Sequence, residues 1–350
     1  MKTDYYSLDE NHIDPAVIEK AGEVIRRGGL VAFPTETVYG LGGDALNHTA
    51  SGRIYAAKGR PSDNPLIVHI ADTEALNRIA VGISPAALKL AKRFWPGPLT
   101  MIFQKADCVP KETTGGLDTV AIRMPANPIA LALIRASGGY IAAPSANLSG
   151  RPSPTSGRHV MQDMDGRIDM VLDGGEAKIG LESTIVDLTE EVPTILRPGY
   201  ISLAMIEETI GRTVYDPAIL KDTQTGTAPK APGMKYKHYA PKGELIIVNG
   251  EREAVVSYIR EQIATAKEGS RIGVIATEET CRLYAADFVE NIGSAKDEEE
   301  VARNLYRVLR DFDDRQVTLI YSEAFYGGGI SVAIMNRLIK AAGHKIIEVS

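Results

Sequence analysis

Cysteine is scarce in this sequence of 350 residues, which holds only Cys108 and Cys281. The two lie far apart, and neither belongs to a CxxC pair or to a Cys/His spacing of the kind that binds structural zinc. These absences exclude a zinc centre built on cysteine and a disulfide framework. They are typical of a protein that works in a reducing cytoplasm.

Long apolar runs are missing as well. No run approaches the ~20 residues of a membrane-spanning helix, and the N-terminus, MKTDYYSLDENHIDP, is polar and acidic where a signal peptide needs a basic start and an apolar core. We therefore expect a cytoplasmic protein that makes no membrane contact. Aromatic residues make up 6% of the chain and the net charge is −6. Both values argue against nucleic-acid binding as the main function, because such binding depends on positive charge and on aromatic stacking.

The common nucleotide and catalytic motifs are also absent. The chain has no GxxxxGK[ST] phosphate loop and no GxGxxG followed by an acidic residue at the Rossmann distance. It has no HExxH and no nucleophile elbow, so zinc proteolysis and serine-triad hydrolysis lose their usual support.

What is present indicates two α/β domains. Residues 14–29 read as an amphipathic helix that leads into a buried strand, and short apolar runs then alternate with helical patterns as far as residue 210. This pattern predicts an open α/β domain with a mixed sheet over 1–210. Regular alternation of strands and helices over 244–350 predicts a smaller, doubly wound Rossmann-like domain.

Residues 211–243 are rich in proline, glycine and small polar residues and show no helical or strand period, so we interpret them as a linker. This segment carries six Lys and Arg residues against two Asp, in an otherwise acidic chain. Its end, APGMKYKHYAP, has a composition suited to a semi-ordered flap that closes over a bound triphosphate. The alternative is a solvated linker.

The segment FPTETVYGLGGDA at 33–45 reads as a site loop. Thr35 and Thr37 offer hydroxyls to a polar substrate, and the glycines of 40–43 allow the backbone to come close to it. The alternative is a tight turn capped by threonines.

Further polar residues punctuate the apolar strands. Lys58 and Arg60 lie at a helix end, with Asn64 close by in sequence, and their two cationic groups are suited to bind a polyphosphate. His69 lies inside an apolar strand, where a histidine is more often a hydrogen-bonded core residue than a ligand-binding one. Arg123, on the same strand face as Thr119, could hold a carboxylate by two parallel hydrogen bonds. Later loops supply Ser145, Asn147, Ser149 and Ser153, followed by Ser183, Thr184 and Arg197.

Taken in order, FPTETVYGLG, AAKGRPSDNPLIVHI, FWPGPLT, TVAIRMP, AAPSANLSGRPSPT, ESTIVDL and LRPG closely resemble the YrdC-like threonylcarbamoyl-AMP synthases. The resemblance spans about residues 14–205. APGMKYKHYAP at 231–241 and the C-terminal segment look like the two-domain form of that family.

The resemblance implies an open α/β fold with a concave cavity. It implies a synthase that makes threonylcarbamoyl-AMP and pyrophosphate from L-threonine, bicarbonate and ATP with Mg²⁺ held mainly through the phosphates, and that supplies a downstream transferase complex which modifies tRNA. Residues expected at ATP are Lys58, Arg60, Asn64, Thr119, Ser145, Asn147, Ser153, Arg197 and His238. Residues expected at threonine are Thr35, Thr37, His69, Arg123, Ala143 and Ser183.

The expected catalytic residues are Lys58 and Arg60, which would stabilise phosphate charge as it develops. Two other functions stay open from the residues alone. One is a factor that binds double-stranded RNA or assists ribosome assembly, and the other is an enzyme that transfers a carbamoyl group or hydrolyses ATP with a different acceptor.

Overall fold

The computed structural model describes residues 2–219, 230–232 and 238–350. The chain divides into two compact units. The first unit comprises Met1–Ser149, Ser153–Lys178 and Glu182–Lys235, and the second comprises Gly150–Pro152, Ile179–Leu181 and Tyr236–Ser350.

The first unit is built on one mixed sheet. Its strands are β1 (Asp4–Ser7), β2 (Val31–Phe33), β3 (Gly40–Asp44), β4 (Ile67–His69), β5 (Ala80–Val81), β6 (Leu99–Lys105), β7 (Thr119–Arg123), β8 (Ile141–Ala143), β9 (Met170–Asp173), β10 (Thr184–Asp187), β11 (Thr194–Arg197) and β12 (Val214–Tyr215). They lie in the order β1, β9, β2, β3, β8, β4, β7, β6, β10, β11, β12, and β5 pairs with β6.

Helices of the first unit are α1 (Pro15–Arg26), α2 (His48–Lys58), α3 (Leu76–Ile79), α4 (Pro85–Phe94), α5 (Pro128–Ala136), α6 (Gly157–Met164) and α7 (Leu203–Ile210). Their ends follow local chemistry. The Asp14 side chain accepts a hydrogen bond from the Ala16 N–H at the start of α1, with Pro15 in the first turn. Gly59, at φ +63°, ends α2 in the left-handed conformation.

The two faces of the central strands differ in what they bury. Val68, Met101 and Ile122 point to one face and join the large apolar core that includes residues of α2 and α4. Their neighbours in sequence point to the other face, which we call the site face. It carries a small apolar cluster formed by Ile67, Ile102, Ala121, Ile185, Leu196 and Ala231.

The second unit has five parallel strands, β13 (Glu244–Gly250), β14 (Ile272–Ala276), β15 (Phe288–Asn291), β16 (Leu319–Glu323) and β17 (Ile346–Val349), in the order β15, β14, β16, β13, β17. Its helices are α8 (Arg252–Ala264), α9 (Glu298–Asp314) and α10 (Ser331–Ala341). No helix in the described ranges is long and apolar enough to cross a membrane.

Several elements differ from the sequence pattern. The glycines of 40–43 fall in strand β3, and Cβ atoms at Gly40 and Gly42 would crowd the Phe33 ring, at 3.1 and 2.9 Å. These two glycines therefore make room for an aromatic side chain of the same sheet. Val214–Tyr215, inside the predicted linker, extends the sheet beside β11. Between β14 and β15, where regular alternation of strands and helices predicts a helix, the chain has only a 3₁₀ turn at Cys281–Leu283.

Candidate functional site

Four strand ends of the first unit meet at one edge of the site face. His69 and Arg123 end the parallel strands β4 and β7 and are register partners. Thr100 pairs with Arg123 from antiparallel β6, and Ser183 comes immediately before β10, which is parallel to β6. The register therefore brings together three of the residues expected at threonine.

The Arg123 guanidinium is the centre of this edge and is 4% exposed. It donates from Nη2 to Glu36 Oε1 at 2.6 Å, from Nη1 to Thr37 Oγ1 at 2.8 Å, and from Nε to the Gly97 carbonyl at 3.3 Å. Glu36 is also buried, and its second oxygen accepts from the Ala126 N–H at 3.1 Å. Each terminal nitrogen of Arg123 has a second hydrogen, with which the guanidinium can bind a further acceptor such as a carboxylate.

His69 lies beside Arg123 and is buried. Its Nδ1 is 3.1 Å from the Ile67 carbonyl, and the Phe33 ring meets it edge-on at 6.0 Å. Burial and, secondarily, the Arg123 charge lower the pKa of His69 from 6.5 to about 3. The ring is therefore neutral at physiological pH and a weak base, so positioning suits it better than proton abstraction.

Thr35 serves the turn that carries Thr37. Its Oγ1 donates to the Val38 carbonyl at 2.6 Å and lies within 3.2 to 3.3 Å of the N–H groups of Thr37 and Val38. This is the capped turn that the sequence left as an alternative. The turn places the Thr37 hydroxyl on Arg123.

A second group gathers around Lys58, which is 2% exposed at the end of α2. Its Nζ donates to the carbonyl of Ser145, and to that of Asn147 at 2.6 Å. The Ser145 hydroxyl in turn donates to Asn147 Oδ1 at 2.5 Å. Lys58 thus fixes the loop after β8 and places a buried positive charge within it.

Arg60 and Asn64 form a small loop after α2. The Arg60 guanidinium donates from Nε to the Asn64 carbonyl at 3.3 Å and from Nη2 to the Pro65 carbonyl at 3.1 Å. Asn64 is 1% exposed, and its Oδ1 has no hydrogen-bond partner in the described part of the chain. Leaving a buried acceptor without a hydrogen bond destabilises the fold by about 1–3 kcal/mol. The Asn64 Oδ1 atom is therefore available to accept a hydrogen bond from a ligand or a solvent molecule.

Arg197 and Ser183 form the third group. Arg197 donates from Nε to the Ser183 carbonyl at 3.0 Å and from Nη2 to the Ser183 hydroxyl at 3.1 Å. That hydroxyl also lies 2.7 Å from Thr100 Oγ1. Glu182, the residue before Ser183, is buried, and its carboxylate accepts from the Ser153 hydroxyl at 2.5 Å.

Within the predicted linker of 211–243, which we call the connector, the described residues 230–232 belong to the first unit. Ala231 is fully buried in the apolar cluster of the site face. The Pro232 carbonyl is 3.5 Å from Arg197 Nη1, and Lys230 Nζ lies 2.8 Å from Glu190 Oε1 and 3.4 Å from Asp187 Oδ2. Residues 230–232 therefore lie on the face that carries the candidate residues.

Three predicted residues have other placements. Thr119 lies at the opposite end of β7, four residues and therefore about 13 Å along the strand from Arg123. Ala143 is the register partner of Ile67 and lines the site face at its other edge. His238 belongs to the second unit, where its ring lies 5.4 Å from that of Tyr239. Residues 233–237 of the predicted flap lie outside the described residues.

Sequence reasoning missed Glu36, Glu182 and Thr100. Glu36 stands between the two threonines of the site loop, where a carboxylate next to a buried strand was a signal for a buried ion pair. Glu182 and Thr100 meet their partners only through the folded sheet. No group of three or more His, Cys, Asp or Glu side chains that could hold a metal occurs within residues 2–219, 230–232 and 238–350.

Comparison with known families gives two matches that together cover most of the chain. Residues 23–199 match the model Sua5_yciO_yrdC, described as Telomere recombination. Residues 201–343 match Sua5_C, described as Threonylcarbamoyl-AMP synthase, C-terminal domain.

Curated relatives cover nearly the whole length. The threonylcarbamoyl-AMP synthase of Pyrococcus abyssi is 52% identical, over 95% of this chain and 96% of its own length. That of Bacillus subtilis is 48% identical, over 97% of each. The structure of P. abyssi Sua5 complexed with L-threonine matches at a TM-score of 0.94 and 50% identity, over 99% of this chain and 100% of that one. The predicted two-domain α/β fold is thereby confirmed.

Proposed function

The chain belongs to the family of threonylcarbamoyl-AMP synthases, and from that premise we propose that it joins L-threonine, bicarbonate and ATP into threonylcarbamoyl-AMP, with release of pyrophosphate. The observation that carries this proposal is the buried edge formed by Arg123, Thr37 and His69. It occurs in a fold that matches, at a TM-score of 0.94, a relative crystallised with L-threonine.

We assign the threonine end of the site to this edge. The remaining hydrogens of Arg123 Nη1 and Nη2 bind the amino-acid carboxylate, and Glu36 holds the guanidinium in place. The hydroxyls of Thr37 and Ser183 provide the remaining polar contacts, and Ala143 gives a small apolar wall. Neutral His69 positions the substrate without adding charge.

The ATP end is assigned to the three cations and the loops that they fix. Lys58, Arg60 and Arg197 face the phosphates, while Asn64 Oδ1 is a buried acceptor for a donor of the nucleotide. Ser145, Asn147 and Ser153 line the same region.

Mg²⁺ fits this assignment as a companion of the nucleotide. The donor set at the phosphate end is cationic, and no carboxylate cluster in the described ranges offers it a cage, so Mg²⁺ would be held mainly through the phosphates. When bound, it neutralises triphosphate charge.

The chemistry needs no covalent enzyme intermediate. The threonine amine combines with bicarbonate, with loss of water, or with CO₂, with loss of a proton, to give a carbamate. A carbamate oxygen then attacks the α-phosphorus as pyrophosphate leaves. The protein orients the two substrates and stabilises the charge that develops on the phosphates, chiefly through Lys58 and Arg60. The connector at 230–232 lies over the same face, where it helps to exclude water from the labile adenylate.

A pyrophosphate-release assay tests the proposal. The purified full chain is expected to release pyrophosphate from ATP only when L-threonine and bicarbonate are both present. Turnover that needs neither would favour an ATP hydrolase, and tight binding of duplex RNA without turnover would favour the RNA-binding alternative.

Transfer of the product to a downstream tRNA-modifying complex in the cytoplasm is part of the same proposal. Adding such a complex together with tRNA to the assay tests this transfer.

A further inference from the structure

The second unit contains a cavity that the proposed reaction does not use. It has a volume of about 170 Å³ and lies at the carboxyl ends of β13, β14 and β16. Asn249, Thr277 and Glu323 line it from these three strands, and the first turns of α9 and α10 line it with Glu298 and Ser331. All of these residues belong to the second unit.

The position of the cavity follows from the strand order. The connection from β13 through α8 passes β16 to reach β14, whereas the connection from β16 through α10 passes β13 to reach β17. The connections that follow the neighbouring parallel strands β13 and β16 therefore run in opposite directions across the sheet. In doubly wound parallel sheets, the crevice at such a reversal is where ligands bind.

A phosphate does not suit this crevice. The Glu298 carboxylate accepts from the N–H groups of Ile330 and Ser331, at 2.9 and 3.2 Å, and from the Ser331 hydroxyl. It thus occupies the place at the start of α10 where an anionic ligand would bind. The turn after β13, Asn249-Gly250-Glu251, also lacks the glycine-rich phosphate fingerprint.

A second carboxylate lines the cavity. Glu323 is 8% exposed and accepts from the Thr277 N–H at 3.2 Å and from the Tyr284 hydroxyl at 2.7 Å. Burial and the charge of Glu323 raise the pKa of Tyr284, so this phenol keeps its proton and donates it. Arg252, exposed at the start of α8, is the basic residue among those that line the cavity.

The remaining walls of the cavity are apolar and aromatic, so they suit the apolar part of a ligand. Val248, Val301 and Ile334 line the cavity, and Phe325 and Tyr326 follow β16, with Tyr326 66% exposed. The volume is close to the roughly 150 Å³ of an engineered cavity that binds benzene and below the ~300 Å³ at which drug-sized ligand pockets begin. A dinucleotide is therefore too large to be enclosed.

We infer that this cavity binds a small organic cation, an alkylammonium or alkylguanidinium group, between Glu298 and Glu323 with its alkyl part against the apolar wall. The carboxylates neutralise the cationic head, and Tyr326 can cover it by a cation–π contact. The inference does not depend on the proposed catalytic activity.

Calorimetric titration of the full chain with n-butylamine and n-butylguanidine tests the inference, with n-butanol as the uncharged probe of similar size. Saturable binding of at least one cation is expected, with no binding of butanol, inorganic phosphate or AMP at this cavity. Glu323→Gln should weaken cation binding by roughly tenfold or more, because it removes the charge and keeps the shape.

Glu261→Gln, on the exposed side of α8, is the matched control and should bind as the wild type does. Tyr326→Ala, at an exposed position, should weaken binding without loss of fold. Binding of neither cation, equal binding by wild type and Glu323→Gln, or displacement of the cation by phosphate would each overturn the inference. Pyrophosphate release measured on the same samples separates this outcome from a failure of the proposed function.

Discussion

Arg123→Lys gives the sharpest test of the threonine end of the site. Arginine at this position donates to Glu36, Thr37 and the Gly97 carbonyl, and a lysine ammonium cannot reach all three from one point. The charge is retained, so the penalty of about 3–5 kcal/mol for leaving Glu36 buried without a charged partner is avoided. We expect a loss of about 1–3 kcal/mol in the free energy of unfolding.

The kinetic effect should fall on one substrate. A hydrogen bond to a charged group contributes about 1.5–3 kcal/mol, so losing one contact to the threonine carboxylate should raise the KM for threonine by about 10- to 150-fold. The KM for ATP should change little. Pyrophosphate release is measured with each substrate varied at saturating levels of the other, and stability by urea titration.

Arg135→Lys is the control, because Arg135 pairs with Asp72 at 3.4 Å on the surface with about half of each side chain exposed. Such pairs contribute about 0–1 kcal/mol, so neither KM should move. An equal rise of both KM values in Arg123→Lys would refute the assignment of this arginine to the threonine carboxylate.

Three further outcomes are expected. The pKa of His69 is about 3 in the folded chain, against 6.5 for an ordinary histidine, so between pH 6.5 and about pH 3 the unfolded chain binds one more proton than the folded chain. The free energy of unfolding therefore falls as the pH drops below 6.5, by up to about 1.4 kcal/mol per pH unit. His69→Gln should flatten that slope in urea titrations between neutral pH and about pH 5, and an unchanged slope would assign the titration to another group. Lys58→Met should lower kcat on the order of a hundredfold, with little change in the KM for threonine, and the reverse pattern would mean that the two ends of the site are exchanged. Ala231→Glu, which places a charge in the apolar cluster of the site face, should reduce adenylate synthesis much more than Lys230→Gln, which changes a half-exposed side chain outside that cluster. Equal activity of the two variants would argue against a role of residues 230–232 in covering the site.

Local signals predicted much of the fold. Asp14 before a proline and Gly59 after a helical run marked the ends of α1 and α2, because capping depends on neighbouring residues. Strand β3 was missed because its glycines are poor strand formers, and only packing against Phe33 explains them. Strand β17, at 346–349, is short and partly exposed and was also missed.

The candidate site shows the same limit. Period two correctly put Thr119 and Arg123 on one strand face, but it said nothing of the strand length that separates them. The contact between Glu36 and Arg123 joins residues 87 positions apart, so no local pattern contains it. The strand register that creates it is set by the packing of the whole sheet.

The most direct test of the central claim follows the carbon atom of bicarbonate. The purified chain is incubated with ATP, Mg²⁺, L-threonine and isotope-labelled bicarbonate, and the products are separated quickly and identified by mass spectrometry. The account predicts threonylcarbamoyl-AMP that carries the label, formed in step with pyrophosphate. ADP and phosphate, or an adenylate of threonine without the label, would contradict it.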